Sequence, residues 1–227
     1  SIIVKTNAGT VIECKSIVIA AGSGCFVPRP LPGENTKDFE GKNIFYSVKD
    51  RQVFKDKNIL VQAEIIAIGN EVVSGLIQDT NAKYLSEQLH LLGINVSRIT
   101  AVGDDDGSIS SVLESALSRV DIIITTGGLG STHDDITKDV LARIFKAKMK
   151  VDEKVLAMLE SAFKERQGDV PEGVRRQCEV PESAEVLYNE KGTAPGLLFK
   201  LDGKKVFSLP GVPLEMEYLF KKYIHPN

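Results

Sequence analysis

Between residues 63 and 163, short apolar runs alternate with longer segments whose apolar residues recur at helical spacing. No other feature limits the fold as much. Strands joined through helices pair in parallel, and the helices cover both faces of the sheet. Glu64-Ile65-Ile66-Ala67-Ile68-Gly69 and Asp121-Ile122-Ile123-Ile124-Thr125-Thr126 read as buried strands, and residues 94–99 as an alternating one. Leu85, Leu89 and Leu92 mark a helix over 80–92, with Gly93 as its stop. A helix capped within 104–106 presents Ile109, Val112, Leu113, Ala116 and Leu117 on one face. Ile136, Val140, Leu141 and Ile144 mark the next helix, and Val155, Leu159 and Phe163 one more. The predicted class is α/β, a parallel-sheet sandwich. Ligands of such sheets bind beyond the carboxyl ends of the strands. The loops after residues 69, 102 and 126 should therefore meet at one edge.

The richest of these loops is Gly127-Gly128-Leu129-Gly130-Ser131-Thr132-His133-Asp134-Asp135-Ile136-Thr137. Glycines let backbone N–H groups close on an anion, and a following helix adds the favourable end of its dipole. Gly127, Gly128 and Gly130 fit that role, and Ser131, Thr132 and Thr137 offer hydroxyls. Asp134 and Asp135 repel a bare phosphate but suit a bridging Mg²⁺ or another divalent cation; either could instead simply cap the helix. The second loop, 69–75, contributes Gly69, Glu71 and Ser74. The third, Val102-Gly103-Asp104-Asp105-Asp106, is by composition an ordinary cap with a solvated charge run, but topology places it at the same edge.

Charge divides the chain near residue 60. Residues 1–60 hold nine Lys+Arg against six Asp+Glu, whereas the whole chain of 227 residues has a net charge of −3. The first segment is thus basic and the remainder acidic. An overall pI of about 5.7 disfavours a nucleic-acid binder. No apolar run is long enough for a membrane span, and no signal peptide is expected. Three sparse cysteines, Cys14, Cys25 and Cys178, form no CxxC pair and fit a reducing cytoplasm.

The leading segment is β-rich. Ile2-Ile3-Val4 and Val11-Ile12-Glu13-Cys14 flank the turn signal Asn7-Ala8-Gly9 and read as a hairpin; residues 16–22, 43–48 and 58–61 read as further short strands, and prolines 28, 30 and 32 force extended backbone. "SIVIAAGSGCFVPRPLPGE" at 16–34 and "FEGKNIFYSVKDRQVFKDKNILV" at 39–61 resemble the middle of thioredoxin-reductase-like flavoproteins. That resemblance is partial. No GxGxxG is present, and Tyr46-Ser47-Val48-Lys49-Asp50 stands where many of those enzymes carry their redox CxxC. FAD and NADP are therefore not expected, and residues 1–61 read as a partial flavoprotein-like segment joined to a second domain at 62–227.

The second domain carries six ordered motifs: "AEIIAIGNEVVSG" at 63–75, "DTNAKYLSEQL" at 79–89, "VGDDDGSI" at 102–109, "TTGGLGSTHDDIT" at 125–137, "NEKGTAPG" at 189–196 and "LPGVPLEM" at 209–216. Together they closely resemble the N-terminal, molybdopterin-binding-like domain of the CinA family. The resemblance implies that Asp104 and Asp135 are catalytic or metal-holding carboxylates. It also implies ligand contacts at Gly192, Ala194 and Gly196; Pro210 and Gly211 either line the site or merely redirect the backbone before the last helix. Read from the residues alone, Gly192 and Gly196 fit a hairpin turn equally well, with Asp202-Gly203 at the hairpin's other end. Ser131 departs from the proline common in CinA relatives. His133 falls at a variable position, and His90 and His225 have no motif support. Larger relatives add an amidase domain, which the resemblance does not reach.

The leading expectation is a metal-dependent pyrophosphatase of the ADP-ribose type, with Mg²⁺ or another divalent ion held by Asp104 and Asp135. The first alternative is a molybdopterin-binding or adenylylating module of molybdenum cofactor biosynthesis that uses the same loops. The second is a non-catalytic chimera whose leading segment blocks the site. The expected partner is a small nucleotide or pterin, with no nucleic acid and no membrane. A homo-oligomer is open, since relatives of this fold are commonly dimers or trimers, but no surface stripe marks a contact.

Overall fold

The computed structural model describes residues 2–5, 11–14, 17–18, 44–45, 61–165 and 170–225. The chain divides into two compact units, Ser1–Leu60 and Val61–Asn227. In the first, β1 (Ile2–Lys5) pairs antiparallel with β2 (Val11–Cys14), Ile2 facing Cys14 and Lys5 facing Val11. This is the strand pair expected from the sequence. β3 (Ile17–Val18) pairs in parallel with β4 (Ile44–Phe45). The flavoprotein-like stretches, the proline run and residues 58–60 of the strand read at 58–61 otherwise lie outside the described residues; Val61 precedes β5 and is not in a strand.

The second unit is built on a six-stranded sheet. Its strands are β5 (Gln62–Ile68), β6 (Asn95–Val102), β7 (Ile122–Thr126), β10 (Glu185–Leu187), β11 (Gly196–Leu201) and β12 (Lys204–Leu209), in the order β10-β11-β12-β7-β5-β6. β12, β7, β5 and β6 run parallel; β10 and β11 are antiparallel additions. The sheet is thus mostly parallel rather than wholly so. The difference arises at Asp202-Gly203, both with positive φ (49° and 80°), which turn β11 directly into β12. No helix crosses over there, so the pair must be antiparallel.

Helices α2 (Thr80–Leu91) and α7 (Pro213–Tyr223) cover one face, and α3 (Asp106–Arg119) and α4 (Thr137–Ile144) the other; a short helical turn, α1 (Asn70–Val73), precedes α2. The two-residue repeat of a strand separates the cores. On β5, Ile66 and Ile68 pack with Ile109, Leu113 and Leu141, whereas Ala63 and Ile65 pack with Leu85, Leu89, Met216 and Phe220. A smaller layer joins α5 (Glu153–Glu165), through Val155 and Leu159, to Cys178 and Val170, beside the two-stranded β8 (Met149–Val151) and β9 (Glu179–Pro181); α6 (Glu172–Arg175) lies between. Gly93 ends α2 with φ 75°, as expected from the sequence. Among the described residues, no helix is long and apolar enough to cross a membrane.

Candidate functional site

A cavity of about 720 Å³ opens beyond the carboxyl ends of β5, β7 and β12, and residues after 69, 102 and 126 line it together. The sheet explains this convergence. β5 and β7 are neighbouring parallel strands, so the loops that leave them emerge side by side. Gly127 and Gly128 make the turn with φ values of 110° and 68°. The Gly127 N–H bonds to the carbonyl of Leu209 at 3.0 Å, and a Cβ on Gly127 would fall 2.0 Å from the Ile68 carbonyl oxygen. A side chain cannot be placed there, and the backbone of the loop is left facing the cavity.

Two aspartates organise the loops. Asp104 accepts a hydrogen bond from the Asn70 backbone N–H at 2.8 Å, and its own N–H donates to Asn70 Oδ1 at 3.2 Å. Asp135 accepts from the backbone N–H of Thr132 at 2.8 Å and from its hydroxyl, closing the 130–135 segment. Asp135 therefore does not cap α4, whose cap residue Ile136 makes no side-chain bond. At the third loop the α3 cap is Asp105, accepting from Ser108 N at 2.9 Å, which leaves Asp104 free to face the cavity. Burial raises the Asp104 carboxyl above the usual range; the Asn70 N–H lowers it, and the charges of Glu71, Asp134 and Asp135 raise it further.

Of the residues singled out in the sequence, Gly69, Glu71, Asp104, Gly127, Gly128, Gly130, Ser131, Thr132, Asp135, Ala194, Pro210 and Gly211 line the cavity. Four do not. Ser74 is exposed and donates to the carbonyl of Glu71 at 3.3 Å. Thr137 is buried beneath the loop, its Oγ1 in the place where a Cβ on Gly128 would fall. Gly192 borders a neighbouring cavity formed with α5 and packs against Glu215. Gly196 belongs to β11, closely packed against Leu219, Ser208 and Leu187. His90 and His133 are exposed.

Three contributors were not read as site residues. Asn81 is buried and its Nδ2 donates to Thr126 Oγ1 at 2.9 Å and to the Gly211 carbonyl at 2.7 Å, joining α2 to two cavity loops. Gln177 is buried and lines the cavity, and its Oε1 has no partner among the described residues. Glu215, on the first turn of α7, is held by Asn189 Nδ2 at 2.6 Å. Asn81 and Glu215 lie inside quoted motifs, which was the available signal; Gln177 had none.

The lining includes six carboxylates, Glu71, Asp79, Asp104, Asp134, Asp135 and Glu215, and no lysine, arginine or histidine among the described residues. A phosphate here must be met by backbone N–H groups and a countercharge. Among the described residues, no three His, Cys, Asp or Glu side chains group closely enough to hold a metal ion unaided. Carboxylate oxygens in such small numbers could hold a hard divalent ion only together with waters or ligand oxygens.

Sheet and cavity together define an α/β domain with a mostly parallel sheet whose strand-end loops surround one cavity. The family model described as "Probable molybdopterin binding domain" matches residues 64–227. The chain is 43% identical over 164 residues to the "Putative competence-damage inducible protein" of Caldicellulosiruptor bescii, covering 72% of this chain and 40% of that one. It is 42% identical over 159 residues to the "CinA-like protein" of Thermotoga maritima, covering 70% and 39%. The crystal structure described as "the protein CinA with unknown function from Thermoplasma acidophilum" aligns with a TM-score of 0.67 and 37% identity, over 72% of this chain and 95% of that one. The chain belongs to the molybdopterin-binding-domain family, in its CinA-like branch. It spans about two fifths of the length of the curated relatives it matches.

Proposed function

We propose that residues 62–227 form a binding module for a phosphorylated small molecule of the molybdopterin type. One observation carries this reading: a positive-φ glycine turn at a strand end and a carboxylate-rich lining share one cavity of about 720 Å³, a volume usual for small-molecule sites. Backbone N–H groups of the 127–132 loop would take phosphate oxygens. Asp104 and Asp135 are the residues to hold Mg²⁺ or another divalent cation, which when bound would neutralise phosphate charge. The match to the molybdopterin-binding family supports the pterin as the ligand's ring. Titration with a phosphorylated pterin in the presence of Mg²⁺ should give saturable binding that inorganic pyrophosphate competes away. A heat or fluorescence signal that pyrophosphate leaves untouched would reject the phosphate site.

The group Asp104, Glu71, Asp134 and Asp135 favours a second reading, hydrolysis of a nucleotide pyrophosphate such as ADP-ribose. Water would attack one phosphorus atom and release two monophosphates. A carboxylate of this group would accept the water's proton, while loop N–H groups stabilise charge developing on the phosphoryl oxygens. Protein with Mg²⁺ and ADP-ribose should then release AMP, and Asp135→Asn should stop it. No AMP with any divalent ion sinks this reading and leaves the binding module standing.

A further inference from the structure

Glu215 lies in the same cavity, yet its surroundings are set by a different loop and, among the described residues, contain no charged partner. Asn189 is buried, at 4% exposure. Its Oδ1 accepts from the Lys191 N–H at 2.9 Å, which orients the amide. The NH₂ group then donates to the Ala194 carbonyl at 2.9 Å and to Glu215 Oε2 at 2.6 Å. Gly192 closes one face of the carboxylate. A Cβ on Gly192 would fall 2.0 Å from Glu215 Cδ, and 2.1 and 2.3 Å from its oxygens. Glu215 is thus held on one edge and one face, and its Oε1 takes no protein hydrogen bond among the described residues. Holding a half-buried carboxylate costs desolvation, as its pKa, raised by burial, records.

We propose that Glu215 reads the ring edge of the ligand and selects a 2-amino-4-oxo heterocycle, the edge shared by pterins and guanine, over adenine. The inference rests on the reading that this cavity binds a phosphorylated ring. An ionised carboxylate only accepts hydrogen bonds. The amino-lactam edge offers two neighbouring N–H donors, a ring N–H and an exocyclic amine, spaced to meet the two carboxylate oxygens. Adenine offers one amine beside a ring nitrogen whose lone pair would face the carboxylate. Hypoxanthine keeps the ring N–H and lacks the amine. A planar ring also has apolar surface to lie against: Ile77 and Val212 line the cavity and are 58% and 53% exposed. Val212 is next to the reader, since the Glu215 N–H bonds to its carbonyl at 3.1 Å.

The test is equilibrium titration of the full chain, with Mg²⁺, by neopterin monophosphate, GMP, IMP and AMP, each repeated against inorganic pyrophosphate. Neopterin monophosphate or GMP should bind at least about tenfold tighter than AMP and IMP, the value of one good bidentate pair. The tighter of those two then identifies the source of the edge. Glu215→Gln, whose amide offers one acceptor and one donor, should remove the preference for the amino-lactam edge and shift it towards AMP. Equal affinities or tighter AMP in the unaltered chain, or a preference that survives Glu215→Gln, overturns the proposal while leaving a phosphate pocket in place. If none of the four binds and pyrophosphate is silent too, both the proposal and the reading beneath it fail. The comparison among ligands uses the unaltered chain, so it decides the matter even if the variant folds poorly.

Discussion

Asn70 and Asp104 hold each other across two loops: the backbone N–H of Asn70 donates to the Asp104 carboxylate at 2.8 Å, and the backbone N–H of Asp104 donates to the Asn70 side chain at 3.2 Å. Strand pairing accounts for the encounter. β5 and β6 run in parallel register to Ile68 opposite Val102, so their exit turns start level with one another. Asn70→Ala removes one of the two bonds and should cost about 0.5–1.5 kcal/mol in chemical denaturation. Asp104→Asn keeps an acceptor for Asn70 and removes a carboxylate that the charges of Glu71, Asp134 and Asp135 disfavour. Its metal-free stability should match or exceed that of the unaltered chain, and the rise in Tm that the proposed cation site predicts on adding Mg²⁺ to the unaltered chain should be lost. A Tm rise that persists in Asp104→Asn would remove Asp104 from the cation site.

The glycines of the chain are not equivalent, although several share a positive φ. Gly127 combines φ 110° with a neighbouring carbonyl oxygen that a Cβ would approach to 2.0 Å, whereas Gly75 has φ 73° and nothing within 4 Å. Gly75→Ala should cost about 1 kcal/mol of backbone strain. Gly127→Ala must also displace the end of β5 and should cost more than about 3 kcal/mol, or prevent folding. Urea melts of the two variants measure the difference directly.

Thr137 tests the placement of the loop's hydroxyls. It is fully buried and its Oγ1 has no partner among the described residues, while its backbone N–H bonds to the Gly128 carbonyl at 3.1 Å. Thr137→Val discards only the unpartnered hydroxyl, so Tm should hold or rise, and affinity for a phosphorylated ligand should stay within about twofold. A large loss of affinity with an intact fold would show that the hydroxyl reaches the ligand, as its place in the sequence motif implied.

The sheet and its loops were legible because they rest on local signals. The apolar runs at Glu64–Ile68 and Ile122–Thr126 announce buried strands, and parallel topology then dictates which loop ends meet. Side-chain direction was not legible in the same way. Thr137 and Gly196 carry the residue types of a binding loop, but one packs under Gly128 and the other inside the sheet. A sequence motif conserves both kinds of need in one string of letters. Glu215 was missed for the converse reason. Its neighbours Asn189 and Gly192 lie 26 and 23 positions away and are brought to it only by the packing of α7 against the strand-end loop. The antiparallel β11 also followed from a two-residue turn that was read as a turn, without its consequence for sheet direction.

Glu215 finally gives a pH dependence of definite sign. Burial raises its pKa and the Asn189 hydrogen bond lowers it; among the described residues no charged group contributes. A carboxyl whose folded pKa lies above its unfolded value favours the folded state most below the unfolded value, about 4.3, and loses that contribution as pH rises through the folded one. Glu215→Gln stays neutral throughout and can still accept from Asn189. The variant should therefore melt close to the unaltered chain near pH 4 and above it at pH 7. Solvent around a half-buried group keeps the gap below about 1 kcal/mol, or roughly 2–4 °C in Tm. Adding neopterin monophosphate at pH 7 should reverse the order, because only the ionised carboxylate offers two acceptors to the ring edge. Thermal melts at the two pH values, with and without that ligand, give four numbers. A variant that melts lower at pH 7 without ligand would mean that Glu215 stabilises the fold, not the bound ring.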